Sequence, residues 1–351
     1  MATATSPSGV LPDHAIQALM HQGCIHAHTA ITDDQVQPAS LDLRLGNWAY
    51  RVRASFLPGL GQSVEDRLRG SDLVMHRLDL AEGAVLETGC VYLVPLQEGL
   101  ALQGDVAGLA NPKSSTGRID VFVRVICDGA ISFDKIKAGY QGPLWAEICP
   151  RTFSILAKVG DRLTQLRFKK GVLTQTRAPL DLSLDLSHDS LGPVIGYRAR
   201  RHAPLLDLAK IAAHDPRDWF EPISARDGKL VLDPGEFYIL ASCPGLAIPA
   251  NMAAEMVPTA EDLGEFRAHY AGFFDPGFGA DAGQGAGAGA TRGVLEVRGR
   301  DVPFVLEHGQ AVARLIFEPL ASPPHRTYGD GGSHYQGQGL KLSKLFKAWP
   351  A

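Results

Sequence analysis

The six residues Lys113–Arg118 read KSSTGR, beside the apolar run from Val121 to Ile126. A Lys, two Ser, a Gly and an Arg are crowded there against a strand-like segment. An ammonium and two hydroxyls suit phosphate oxygens, and a guanidinium suits a carboxylate or an oxyanion. An ordinary solvated polar turn is the competing reading. Further on, Glu296 interrupts the apolar run VLEV, and Asp275 sits in FFDPGF. A Glu inside an apolar strand is either turned outward and solvated or turned inward and functional. Held inward, it can take a proton from water and deliver one elsewhere, as a general base and acid.

The elements that must position these groups come from an internal repeat. GCVYLVPLQEGLALQGDVAGLANP (89–112) matches GEFYILASCPGLAIPANMAAEMVP (235–258) without a gap, at an offset of 235 − 89 = 146. GDRLTQLRF (160–168) matches GQAVARLIF (309–317), at an offset of 309 − 160 = 149, and Glu147 falls on Glu296 at that offset. A period this long indicates two domains rather than a solenoid.

The copies differ where chemistry would sit. The counterpart of Lys113, Ser114, Ser115, Gly117 and Arg118 is PTAEDLG (258–264), whose carboxylates would repel a phosphate. Conversely, the counterpart of Asp275 is Lys137. Each copy keeps half a site, so sites are expected between modules.

With 351 residues, the chain has the length of two domains. At 45% hydrophobic and 21% charged it can bury a core. A net charge of −4 with no basic block argues against nucleic-acid binding. The five scattered Cys contain no C-x-x-C, which argues against a disulfide framework or structural zinc. No run approaches 18 apolar residues and no signal pattern opens the chain, so a soluble, cytoplasmic protein with no membrane partner is expected.

Short β-branched and aromatic runs such as YLVPL, VFVRVI, LWAEI, FYILA and VLEV, punctuated by Gly and Pro, predict a mainly β fold of barrel or sandwich type. Helices are few: one over 12–23, and a second at 205–214. The expected division is a module over 1–172, a connection over 173–204 and a module over 205–351. The Gly/Ala-rich stretch 277–293 reads as a surface loop.

QPASLDLRLG (37–46), KSSTGR, FFDPGF, VLEV around Glu296 and HYQGQG (334–339), in this order, resemble the dCTP deaminases, relatives of the trimeric dUTPases. GVLPDHAI (9–16) is similar to that family's opening. The resemblance covers both modules and marks the chain as a tandem form. It implies distorted dUTPase-like β-barrel (β-clip) modules, trimeric or pseudo-trimeric assembly into a homo-oligomer, and hydrolytic deamination of dCTP to dUTP and ammonia. That reaction belongs to pyrimidine deoxynucleotide metabolism. The zinc deaminase signature H-x-E…P-C-x-x-C is absent, so a carboxylate must carry the proton transfers.

The family motifs then imply roles. Glu296 is the catalytic acid and base, with Glu147 its possible equivalent in the first module. Ser114 and Arg118 hold the reacting water and nucleotide. Lys113 and Ser115 contact phosphates, Asp275 accepts the sugar 3′-hydroxyl, and the backbone near Ala271 reads the base. Tyr328, Tyr335 and Gln338 belong to a tail, 327–339, that closes over the triphosphate. Phe273 departs from the family, where Arg is usual. No protein metal ligands are expected; Mg²⁺ would arrive on the triphosphate. Two further readings stand beside this one: a dUTPase or bifunctional enzyme yielding dUMP, acting on dUTP, and a non-catalytic sensor binding dCTP or dTTP.

Overall fold

Period-two burial builds most of the molecule. In Val121–Cys127 the first four residues alternate between buried and half-buried, as a strand packed on one face requires. The structure is a computed structural model, and it describes residues 8–70, 72–258, 266–269, 272–280 and 291–350.

The first module folds into two main sheets, with a small third one in which Ile155–Ala157 pairs with Ala84–Leu86. One runs Lys135–Ile136, Val106–Pro112, Thr164–Lys170, Ser40–Leu43, Val36–Gln37. The other runs Val121–Cys127, Gln141–Pro150, Val91–Ala101, Trp48–Val52, Val74–Asp79. In the second module, Leu180–Asp185 pairs with both Phe237–Gly245 and Ala311–Pro319, which joins most of its strands into one curled sheet, while Lys229–Leu232 and Phe304–Glu307 pair separately. Arg292–Gly299 lies against Phe237–Gly245.

Pairing registers repeat along with the sequence. Glu147 stands opposite Leu93 in the first module, and Glu296 opposite Ile239 in the second. Leu166 faces Ala110, and Leu315 faces Met256. Both pairs keep the two sequence offsets. Lys135 faces Leu109 as Phe273 faces Glu255, which sets Lys137 at the place of Asp275. Fold class and duplication therefore agree with the sequence reading.

Two expectations meet a different outcome. The expected connection over 173–204 contains two strands, Leu180–Asp185 and Gly196–Ala199. The alternation Leu180, Leu182, Leu184 signals the first of them. The helix expected at 205–214 is absent. Instead, Leu206 pairs in parallel with Ile155 of the first module, and the Ala212 N–H donates to the Lys344 carbonyl at 2.9 Å. Tertiary pairing overrides the helical pattern there. Of the Gly/Ala-rich stretch 277–293, residues 281–290 lie outside the described residues, and Arg292 and Gly293 open the strand Arg292–Gly299. The N-terminal helix forms over Asp13–His21 and buries Ile16.

The two modules share a core. Leu342, Leu345 and Phe346 from the C-terminal segment are buried with Phe237, Val294 and first-module residues such as Val123 and Ile148. That packing returns the tail to the boundary between modules, beside the KSSTGR loop.

Candidate active site

A cleft of about 670 Å³ lies between the modules. The first module lines it with residues 112–119, and the second with Phe273, Asp275, Glu296 and the tail residues Tyr328, Tyr335, Gln338 and Lys344.

The KSSTGR stretch forms one helical turn, Ser114–Gly117, with the Arg118 N–H donating to the Ser114 carbonyl at 3.1 Å. The turn sends Arg118 inward, where it is buried. One guanidinium nitrogen donates to Gln338 Oε1 at 2.9 Å and another to the Lys341 carbonyl at 3.0 Å. The Tyr335 ring lies 4.0 Å from the guanidinium carbon, a cation–π contact. The remaining nitrogen, Nε, has no hydrogen-bond partner among the described residues and stands 3.9 Å from Glu296 Oε1.

Glu296 is buried on the strand Arg292–Gly299. Burial pushes its carboxyl up to about 8, and the Arg118 charge partly opposes the shift. Its repeat partner Glu147 is buried too, but Arg124, directly opposite on the neighbouring strand, donates to it from Nε at 3.1 Å. Phe133 covers that guanidinium at 3.4 Å. Glu147 is not among the cleft residues. Identical register thus gives one neutralised carboxylate and one facing a ligand-sized space.

Asp275 is buried, and burial pushes it up to about 6, with Arg167 pulling the other way. Arg167 belongs to the first module and is fully buried. It donates to the Ala254 carbonyl at 3.0 Å and the Phe274 carbonyl at 3.2 Å, and lies 3.6 Å from Asp275 Oδ1. Its guanidinium stacks 4.0 Å from the Phe273 ring. The sequence reading missed Arg167; its repeat position holds Ile316, and that contrast was the available signal.

The outer end of the cleft is cationic. Lys113 pairs with Asp42, and Ser115 lines the wall, its carbonyl accepting from Ser343 Oγ at 2.9 Å. Burial and the neighbouring Lys113 charge hold Lys344 below the usual ammonium range. Burial lowers His334, with Lys344, Lys341 and Lys113 adding to the effect. Mutual repulsion of this kind marks a place that an anion would stabilise. Lys344 was not predicted. In the tail, the Tyr328 ring packs tilted against Phe278, with centroids 5.2 Å apart, and Gln338 Nε2 donates to the Arg292 carbonyl at 2.9 Å. Of the predicted residues, Lys113, Ser114, Ser115, Arg118, Asp275, Glu296, Tyr328, Tyr335 and Gln338 meet in the cleft. Ala271 lies outside the described residues.

Two clusters among the described residues could hold a metal ion: Asp13, His14 and His325, and Asp185, Cys243 and His308. Neither has a member lining the cleft. No described helix is long and apolar enough to cross a membrane.

Two duplicated, curled β modules with a cleft at their boundary define a protein of the dUTPase-like fold class. The chain belongs to the 2′-deoxycytidine 5′-triphosphate deaminase family and is a hydrolytic deaminase of that family. The family's N-terminal domain matches residues 7–172, and its C-terminal domain residues 159–346. The crystal structure of 2′-deoxycytidine 5′-triphosphate deaminase from Agrobacterium tumefaciens is 50% identical, with a TM-score of 0.83 over 90% of this chain and 99% of that one. A "dCTP deaminase, dUMP-forming" from Beutenbergia cavernae is 32% identical over 154 residues, 41% of this chain and 74% of the relative. A "dCTP deaminase" from Aeropyrum pernix is 26% identical over 170 residues, 48% of this chain and 85% of the relative.

Proposed function

We propose that the cleft binds dCTP and that Glu296 carries both proton transfers of its deamination to dUTP and ammonia. The observation that carries this reading is the approach of Arg118 to Glu296 across the module boundary. A carboxyl held near 8 can exist in either protonation state near neutral pH, as a group that must both take and give a proton requires. Ionised Glu296 takes a proton from water as its oxygen bonds to C4 of the cytosine. The proton passes to the ring nitrogen. A second transfer to the exocyclic amine lets ammonia leave, and the C4 carbonyl forms. Arg118 steadies the carboxylate and, with Ser114, the water. Asp275, held by Arg167, accepts the sugar hydroxyl.

Lys113, Ser115 and Lys344 take the phosphates, and Mg²⁺ travels with the triphosphate as part of the substrate. Tyr335 and Gln338 close the cleft by packing on Arg118. Water activation is assigned to Glu296, without zinc, because the cleft offers this buried carboxylate beside Arg118. Assembly into a trimeric or pseudo-trimeric homo-oligomer in the cytoplasm belongs to the same reading; the five free cysteines suit a reducing compartment.

The dUMP-forming names among the relatives favour a second reading, in which water also attacks the α-phosphorus and pyrophosphate leaves. Purified protein with dCTP and Mg²⁺, followed for ammonia, dUTP, dUMP and pyrophosphate together, separates the two. Ammonia with equimolar dUTP supports simple deamination. Pyrophosphate in step with ammonia replaces it with the bifunctional reaction, and tight dCTP binding without product contradicts both.

A further inference from the structure

We propose that a second ion pair across the module boundary, Asp120 with Arg298, is a positioning clasp that sets Arg118 against Glu296. Arg118 and Asp120 are two residues apart on the first module. Glu296 and Arg298 are two apart on one strand, so their side chains leave the same face. The result is two rungs of opposite polarity. In one, the first module supplies the cation, Arg118, and the second the anion, Glu296. In the other, the first module supplies the anion, Asp120, and the second the cation, Arg298. A slip of two residues would set Arg118 on Arg298 or Asp120 on Glu296, pairing like charges. The clasp therefore specifies one register for the catalytic pair.

The local structure is built around this contact. Asp120 is buried and has φ of 54°, the left-handed region that favours glycine. Its N–H donates to the Gly117 carbonyl at 2.9 Å, ending the KSSTG turn, and its carbonyl accepts from the Arg151 N–H at 2.9 Å. The chain thus accepts an uncommon backbone conformation where it places this carboxylate. Arg298 is held from both modules: it donates to Thr152 Oγ1 of the first module at 2.7 Å and to the Gly235 carbonyl of the second. Arg118 is fixed independently through Gln338, Lys341 and Tyr335. With the loop anchored on one side and the strand on the other, the clasp fixes the remaining degree of freedom, the height of Glu296 opposite Arg118 Nε.

This proposal rests on the catalytic reading of Glu296, and its test separates the two. Steady-state kinetics with dCTP, dCTP affinity and thermal midpoints are measured for Asp120→Gly, Arg298→Gln, Arg298→Lys, Asp120→Gly with Arg298→Gln, and Glu296→Gln. Glycine accepts φ of 54°, so Asp120→Gly removes the carboxylate without straining the loop. A clasp predicts that Asp120→Gly and Arg298→Gln each lower kcat about 10–100-fold, as small misplacements of reacting groups do, with KM within about threefold. The double variant is no worse than the worse single, and Arg298→Lys recovers most of the loss. Wild-type kcat in Asp120→Gly and Arg298→Gln, with Glu296→Gln inactive, overturns the clasp alone. So does a loss that follows the thermal midpoint and KM. Wild-type turnover in Glu296→Gln overturns the catalytic reading itself.

Discussion

Arg118 Nε of the first module stands 3.9 Å from Glu296 Oε1 of the second, and no hydrogen bond from the described residues occupies that nitrogen. The guanidinium's other two nitrogens are committed to the tail. The gap is too long for a hydrogen bond and close enough for strong electrostatic coupling. Such a geometry leaves the carboxylate oxygens available to a water while keeping a cation beside them.

The raised carboxyl of Glu296 predicts a pH dependence with a definite sign. The free enzyme must lose that proton before Glu296 can act as base, so kcat/KM for dCTP rises as pH rises through about 8. Stability moves the other way. Between the ordinary carboxyl range and about 8 the folded protein holds a proton that the unfolded chain releases, so folding weakens as pH rises through that window. Thermal melts of Glu296→Gln and wild type between pH 5 and 9 check this. The Gln variant gains relative to wild type as pH rises, and its advantage disappears toward pH 5.

The cationic end of the cleft predicts a loss of phosphate recognition. Lys113→Met and Lys344→Met each raise KM for dCTP about 10–100-fold, the worth of a charge-assisted hydrogen bond, with kcat changed little. Higher ionic strength narrows the difference from wild type. The comparison is made with dCMP, for which both variants lose less.

Assembly of the site within one chain predicts an absence of complementation. Arg118→Ala and Glu296→Gln chains, coexpressed with different tags and purified through both, contain no chain with an intact pair. The mixed preparation stays as inactive as its parents. Recovery of a sizeable fraction of wild-type activity would place the working pair between chains.

Much of this was legible because duplication leaves a record that pairing registers reproduce. Aligning GDRLTQLRF with GQAVARLIF already set Glu147 on Glu296, Lys137 fell at the place of Asp275, and the strands hold both correspondences. The KSSTGR loop stood out because its copy lacked it. What could not be read were contacts made across the boundary. Arg167 and Arg298 are arginines in strands that also carry apolar residues, where a solvated face is the default reading. Their partners, Asp275 and Asp120, lie more than a hundred positions away in sequence, and no local periodicity links them. Lys344 lies beyond the closing tail 327–339 that the motifs marked out, in a stretch with no motif of its own. The segment 205–214 carries a helical pattern, yet the first module's strand Ile155–Ala157 captures it.

The most direct test compares the two repeat-related carboxylates in single-turnover ammonia release from dCTP. The account predicts that Glu296→Gln binds dCTP within a few-fold of wild type and releases ammonia roughly 10²–10⁴-fold more slowly. Glu147→Gln, which loses an ion pair with Arg124, releases ammonia within about threefold of wild type and is less stable by about 1–3 kcal/mol. Undiminished ammonia release by Glu296→Gln, or its abolition in a folded Glu147→Gln, would contradict the assignment of the chemistry to the cleft between the modules.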